Sequence, residues 1–347
     1  MNKIIFLVFI IVFLTKTGNV FSSNSIFNVD NIIINNDNNQ SREKILNRAF
    51  NTGFKKLVKK ILQNKDAEVF LSLDLSKIKE LVQSYQIIEN KDKKKSNQIT
   101  INLTFNRKKI NELLYLKNIS YADISKISIV LFPVLVENSK YYLFSENQFY
   151  NNWNNFEKVD DNEFIDYILP AENIDDIQLI YQNKDKLESF DVKKILSNYN
   201  INNYIFLLIK PSENNLNIFL KGSIVGNKII KNLKIVKSSD ENYYKNSIKK
   251  IKMEINEIWK SQNLIDIRTP SFLNISLKLK NKRDLLNIQK TLNKIDLIEN
   301  YHVIELNNNY AKIKIKYVGQ IDKIKNKFKE QGIDVSVKDN NWVLKLI

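Results

Sequence analysis

Apolar positions recur along this chain at two spacings, and the spacing changes from segment to segment. Between Ser41 and Gln63, Ile45, Leu46, Ala49, Phe50, Phe54, Leu57, Val58, Ile61 and Leu62 stand opposite Arg48, Lys55, Lys56, Lys59 and Lys60. Steps of three and four residues predict a helix buried on one side. Before it, Ile26 to Ile34 reads as a strand. After it come a short helix near Ser76 to Gln83 and strands near Tyr85 to Glu89 and Ile99 to Phe105. Ile99, Ile101, Leu103 and Phe105 alternate with polar residues, the period of a sheet covered on one face. Lys108 to Leu116 is expected to close this module as a helix.

Ile127 to Val136 and Tyr204 to Ile209 are apolar without alternation, which predicts strands buried on both faces; Pro133 favours an edge or a bulge within the first. Ile177 to Tyr181 reads as a further strand and Ser189 to Tyr199 as a helix. Leu216 to Val225 and Ile229 to Val236 flank Gly226-Asn227, an order that suits a type II′ turn. Ser239 or Asp240 is expected to cap a helix carrying Tyr244, Ile248, Ile251, Ile255 and Ile258. Beyond Arg268-Thr269-Pro270 the pattern is strand (Leu273 to Leu279), helix (Leu285 to Ile295), a strand ending at Leu306, strand (Ala311 to Tyr317), helix (Ile321 to Phe328) and strand (Ile333 to Val337). That order, βαββαβ, is ferredoxin-like, with Asp339 to Asn341 turning into an extra terminal strand. The expected class is α+β, multi-domain: small α/β sandwich modules at residues 26–122 and 123–265, and a ferredoxin-like module at 270–347.

The first 22 residues carry a different signal. Lys3 precedes an uninterrupted apolar run, Ile4 to Leu14, and Val20-Phe21-Ser22 offers a cleavage site at Ser22 or Ser23. Eleven apolar residues rise about 16 Å as a helix, too short for a stable span, so this is a secretory leader. The expectation is a periplasmic protein with no integral membrane span once the leader is removed.

Composition then narrows the chemistry. The 347 residues contain no Cys and one His, His302, which excludes disulfide scaffolds, thiolate nucleophiles, Cys/His metal sites and a Ser-His-Asp triad elsewhere. Neither G-x-x-x-x-G-K-[ST] nor G-x-G-x-x-G occurs, and no cofactor or resident metal is expected. The formal charge is +16, from 54 basic and 38 acidic side chains, yet arginine is confined to Arg42, Arg48, Arg107, Arg268 and Arg283. Nucleic-acid sites favour Arg for its planar fork. On the open face of the last module the outward residues are Asn274, Ser276 and Lys278, then Lys312, Lys314 and Lys316, which is no base-stacking platform. Nucleic acid is not an expected partner. The stripe Lys312, Lys314, Lys316 suits peripheral contact with an anionic membrane surface, or simple solvation of an open sheet.

Two further segments are candidates. Tyr142, Phe149 and Trp153 lie in an aromatic, asparagine-rich stretch with the composition of a sugar-stacking or partner-docking surface; core packing of a long loop is the competing reading. Asp160, Asp161, Glu163, Asp166, Glu172, Asp175 and Asp176 form an acidic block without the spacing of a calcium loop. As a carboxylate pair it would serve a hydrolase or a cation-dependent carbohydrate binder acting on cell-wall glycan.

The leader, the helix Arg42-Glu43-Lys44-Ile45-Leu46-Asn47-Arg48-Ala49-Phe50 continuing to Leu62, the strand and helix from Ile101 to Leu114, and Ile129-Val130-Leu131-Phe132-Pro133-Val134 together resemble the bacterial family known as domain of unknown function 2066, over about Ile26 to Gln262. The middle module also resembles the α/β domain of envelope proteins such as the amino-terminal part of the Tol-system propeller protein and the curli secretion lipoprotein. The resemblance implies a Gram-negative periplasmic protein of unknown activity and supplies no site residues. The function expected is a non-enzymatic binding or assembly factor with envelope protein partners.

Overall fold

The computed structural model describes residues 25–35, 40–88, 98–154, 164–196, 199, 202–237, 243–279, 281–338 and 341–346. The leader with Ser22 and Ser23, the cap at Ser239 or Asp240, and Asp160, Asp161 and Glu163 lie outside the described residues. The chain is mixed α and β. It divides into two compact units: Met1–Leu57, Asp74–Leu113 and Ser271–Ile347 in one, Val58–Leu73 and Leu114–Pro270 in the other.

In chain order the strands are β1 Asn28–Asn35, β2 Val82–Ile88, β3 Gln98–Phe105, β4 Tyr121–Ala122, β5 Ile127–Glu137, β6 Lys140–Tyr142, β7 Ile165–Ile168 and β8 Tyr204–Pro211. There follow β9 Asn215–Ile224, β10 Asn227–Val236, β11 Leu264–Ile265, β12 Ser271–Lys278, β13 Ile298–Leu306, β14 Tyr310–Tyr317, β15 Ile333–Lys338 and β16 Asn341–Leu346. The α-helices are α1 Arg42–Ile61, α2 Asn64–Ala67, α3 Leu75–Leu81, α4 Arg107–Leu116 and α5 Gln148–Asn152. The remainder are α6 Ile174–Gln182, α7 Lys193–Leu196, α8 Tyr243–Gln262, α9 Lys282–Leu292 and α10 Ile321–Glu330.

Within the first unit, β1, β3 and β2 form an antiparallel sheet in that order. The alternation read from sequence sets its buried row: Ile101, Leu103 and Phe105 are each at most 1% exposed. Phe54 of α1 meets Phe105 with ring centroids 6.1 Å apart. Gly53 permits that approach, because a Cβ there would fall 2.4 Å from the Leu103 side chain and 2.7 Å from that of Ile32. The same unit holds a second sheet, ordered β13-β14-β12-β16-β15. Its covered face takes Leu273, Ile275, Leu277, Ile313 and Ile315, all buried, along with Ile288, Leu292, Ile324 and Phe328 from α9 and α10. The extra strand does not simply extend the edge: β16 lies between β12 and β15, parallel to β12 through Ile275↔Trp342 and antiparallel to β15. The place that a βαββαβ order gives to β15 is therefore taken by β16.

The other unit is built on a sheet ordered β10-β9-β8-β5-β6, with β7 also pairing β5. The uninterrupted apolar runs serve two cores at once. Ile129, Leu131, Ile205, Leu207 and Ile209 join Ile248, Ile251, Ile255 and Trp259 of α8, whereas Val130, Phe132, Phe206 and Leu208 join Ile180 of α6 and Ile195 and Leu196 of α7. Pro133 sits in a central strand, paired with Leu207 of β8. It is tolerated because β7 stops at Val130 and β6 begins at Leu135, so its missing N–H falls between two short partners.

Three local expectations are corrected. Ile177 to Tyr181 is helical, not extended; Asn173 caps α6 by accepting from the Asp175 N–H at 2.8 Å, and Asp175 in the first turn complements its N-terminal dipole. Of the helix expected over Ser189 to Tyr199, the described residues hold the single turn of α7. The β9–β10 turn is centred on Val225-Gly226, with φ of 49° and 80°, which is type I′ in place of type II′. Val225 is a β-branched residue in left-handed backbone, held by its N–H donating to Asn203 Oδ1 at 2.8 Å.

Candidate functional site

The aromatic stretch turns inward. Phe149 and Trp153 are 0% exposed and belong to the α8-side core, and Tyr142 is half-buried against it. Asn147, also fully buried, dictates this. Its Nδ2 donates to the carbonyls of Pro133 at 3.0 Å and Tyr142 at 3.2 Å, while its Oδ1 accepts from the Phe149 N–H at 2.9 Å. One side chain thus ties the start of α5 to β5 and β6 and swings Phe149 and Trp153 into the core. Phe149 and Trp153 therefore form no exposed surface and take the core-packing alternative weighed against docking.

Lysines complete the packing of this unit. Lys252 Nζ donates to the Trp153 carbonyl at 2.7 Å and lies 5.5 Å from the ring centres of both Trp153 and Tyr167; burial pulls its pKa below the usual lysine value. Lys260, 2% exposed, donates to Lys59 O at 2.6 Å, Leu62 O at 2.8 Å and Glu257 Oε1 at 3.0 Å, placing a cation where a helix end leaves unpaired carbonyls. Lys221 Nζ donates to the carbonyls of Leu187 and Glu188, both at 2.9 Å, and of Phe190.

The described acidic residues do not converge. Asp166 pairs with Lys126 at 2.9 Å, and Glu172 accepts from Ser145 Oγ at 2.9 Å. Asp176 is 6% exposed, and burial, then the neighbouring charge of Asp175, raises its pKa.

The sequence-marked lysines of the other unit lie on the uncovered face of its larger sheet. Lys312, Lys314 and Lys316 of β14 stand opposite Ser276, Asn274 and Phe272 of β12. Two of the three are neutralised by β13: Lys312 pairs with Glu305 at 2.8 Å and Lys316 with Glu299 at 2.9 Å. Hydrogen bonding from Lys312, then from the Tyr310 hydroxyl, holds the Glu305 carboxyl below its ordinary range. Among the described residues Lys314 has no such partner; its ammonium rests 4.7 Å from the Phe272 ring centre.

Sequence reasoning passed over Phe272, which is 57% exposed, and Tyr310, which share the parity of the outward residues. They do not make a stacking pair. Phe272 faces Lys316 and Tyr310 faces Lys278, six residues apart along the strand, or about 20 Å.

A second feature went unread. β13 ends the sheet, pairing only with β14 among the described residues, and Val303, Ile304 and Leu306 are 37%, 60% and 56% exposed. Val303 and Leu306 stand opposite the buried Ile313 and Ala311, so they belong to the row that elsewhere faces the helices. The sheet thus ends in an apolar ledge beside a polar face of mixed charge.

Comparison with protein-family models, curated proteins and solved structures finds no match for the chain. Among the described residues no helix is long and apolar enough to cross a membrane.

Proposed function

We propose that this protein is an exported, non-enzymatic binding or assembly factor of the bacterial envelope. It works in the periplasm after removal of its leader, as the resemblance to family 2066 implies. We read its carboxy-terminal sheet as a ferredoxin-like layout with one inserted strand, and that sheet as the docking element. The observation that carries this reading is the exposed end of the sheet: an uncovered polar face bordered by a strand whose apolar side chains meet solvent. Exposed apolar groups clustered in this way mark interaction sites. The lysine stripe fits an anionic membrane less well than its sequence suggested, because Glu299 and Glu305 cancel two of its three charges. The burial of Trp153 removes the aromatic wall that a glycan cleft beside Asp166 would need.

Fractionation of cells with N-terminal sequencing of the mature chain, followed by crosslinking in intact cells, tests the proposal. The expected result is a periplasmic chain starting near Ser22 or Ser23 and crosslinked to an envelope protein. An unprocessed cytosolic chain, or turnover of cell-wall glycan by the pure protein, would overturn it.

A further inference from the structure

Resting on that reading, the geometry points to a specific occupant. We infer that β13 accepts an extended segment of a partner protein as an added strand, with apolar side chains on one face and an acidic side chain opposite His302.

An edge strand presents a row of unpaired N–H and C=O groups, and natural sheets blunt such edges with lysine, proline, bulges or a covering element. β13, Ile-Glu-Asn-Tyr-His-Val-Ile-Glu-Leu, contains neither lysine nor proline. Its irregularities fall between Ile298 and Asn300 and between Val303 and Glu305, leaving Asn300, Tyr301, His302 and Val303 in unbroken register with Lys316, Ile315, Lys314 and Ile313. The Tyr301 N–H of this stretch is held by Asn300 Oδ1 at 2.8 Å, so a strand laid beside it gains main-chain hydrogen bonds by displacing that side chain. Its apolar residues meet Tyr301, Val303 and Leu306, extending the buried row of the sheet by one strand.

The charge on the other face selects the partner. At one end Lys316 is satisfied by Glu299, and at the other Lys312 is satisfied by Glu305. Among the described residues the middle row, His302 beside Lys314, holds no carboxylate, and His302 Nε2 meets the Asn300 side-chain amide at 3.4 Å. A carboxylate opposite His302 would accept a hydrogen bond from the imidazole N–H. It would stand about 10 Å from β14, a gap that an acidic side chain and the Lys314 side chain close between them. A second copy of this chain is the poorer occupant: antiparallel pairing of two β13 strands about His302 sets imidazole against imidazole and brings Glu299 of one chain towards Glu305 of the other.

The test uses the full mature chain and a labelled ten-residue peptide that alternates valine with threonine and carries one glutamate at a central threonine position, followed by fluorescence anisotropy and amide hydrogen exchange. Saturating peptide is expected to slow exchange in β13. Lysine in place of glutamate, or N-methylation of alternate peptide residues, is expected to weaken binding at least tenfold. I304K and L306K should do the same, while I230K on β10 should change nothing. The peptide variants leave the protein untouched, so a misfolded mutant does not blur the result. Absence of binding, unchanged β13 exchange, or equal affinity for the lysine peptide would overturn the inference. So would self-association abolished by I304K, which would give the edge to a second copy. A partner crosslinked in cells through some other surface, with no peptide effect at β13, would leave the binding-factor reading standing and remove this one alone.

Discussion

Strands β10 and β13 each end a sheet and run for ten and nine residues, yet they are finished differently. β10 carries Lys228, Lys231 and Lys234, and its inward row is closed by α8: Ile229 and Ile235 are each 7% exposed within that core, and Lys231 pairs with Glu254 of α8 at 2.6 Å. β13 has no lysine, and its inward row runs out into solvent at Val303 and Leu306. The same contrast holds for lysine use. In the unit built on β5 and β8, Lys221, Lys252 and Lys260 are turned onto main-chain carbonyls. On the β14 face the lysines stand in exposed pairs or over aromatic rings. A positive balance read from composition thus mixes cations that close backbone ends with cations available at a surface, and only burial separates them.

The contrast predicts a graded set of stability effects. K260M removes three charge-assisted hydrogen bonds and leaves two carbonyls unpaired at a buried site; a loss of about 2–4 kcal/mol is expected by urea denaturation. K221M, which frees three carbonyls at a less buried site, is expected to cost about 1–3 kcal/mol, and K252M about 1–2 kcal/mol. If all three proved neutral, the division between structural and surface lysines would collapse.

Asp176 sharpens the same comparison by pH. Its folded carboxyl holds its proton more tightly than the unfolded chain does, so the ionised form is a burden at neutral pH. Stability on this account rises as pH falls through the raised value, and the gain is complete below the ordinary carboxyl range. D176N is expected to melt higher than the parent at pH 7, with the gap closing as the solution is acidified. A constant gap would assign the effect to something other than the charge. At the small end, K312A and K316A are expected to leave the melting temperature unmoved, as exposed pairs contribute little.

Much of the architecture was legible in the sequence because burial leaves a period. Ile101, Leu103 and Phe105 declared a one-sided strand, and the unbroken runs at Ile127 and Tyr204 declared strands covered on both faces. Ile177 to Tyr181 was misread because a short apolar run suits helix and strand alike; the Asn173 cap and the following aspartates were the deciding signal, and they were visible. Val225-Gly226 was harder, since placing a β-branched residue at positive φ requires knowing the pairing register. Pro133 could be placed centrally only once β6 and β7 were seen to leave a gap beside it. The aromatic stretch hid its fate because one buried side chain, Asn147, decides it, and no period reports a hydrogen-bond hub. The ledge on β13 escaped for a related reason: Ile304 and Leu306 look like ordinary strand residues until the bulge and their place at the end of the sheet are seen.

The most direct test of the central claim places a photo-crosslinking residue at Ile304 of β13 and, separately, at Ile230 of β10, in living cells. The account predicts that Ile304 yields an adduct whose crosslinked segment alternates apolar and polar residues with an acidic residue on the polar face, and that Ile230 yields none. An adduct formed from Ile230 alone, or equally from both positions, would contradict it.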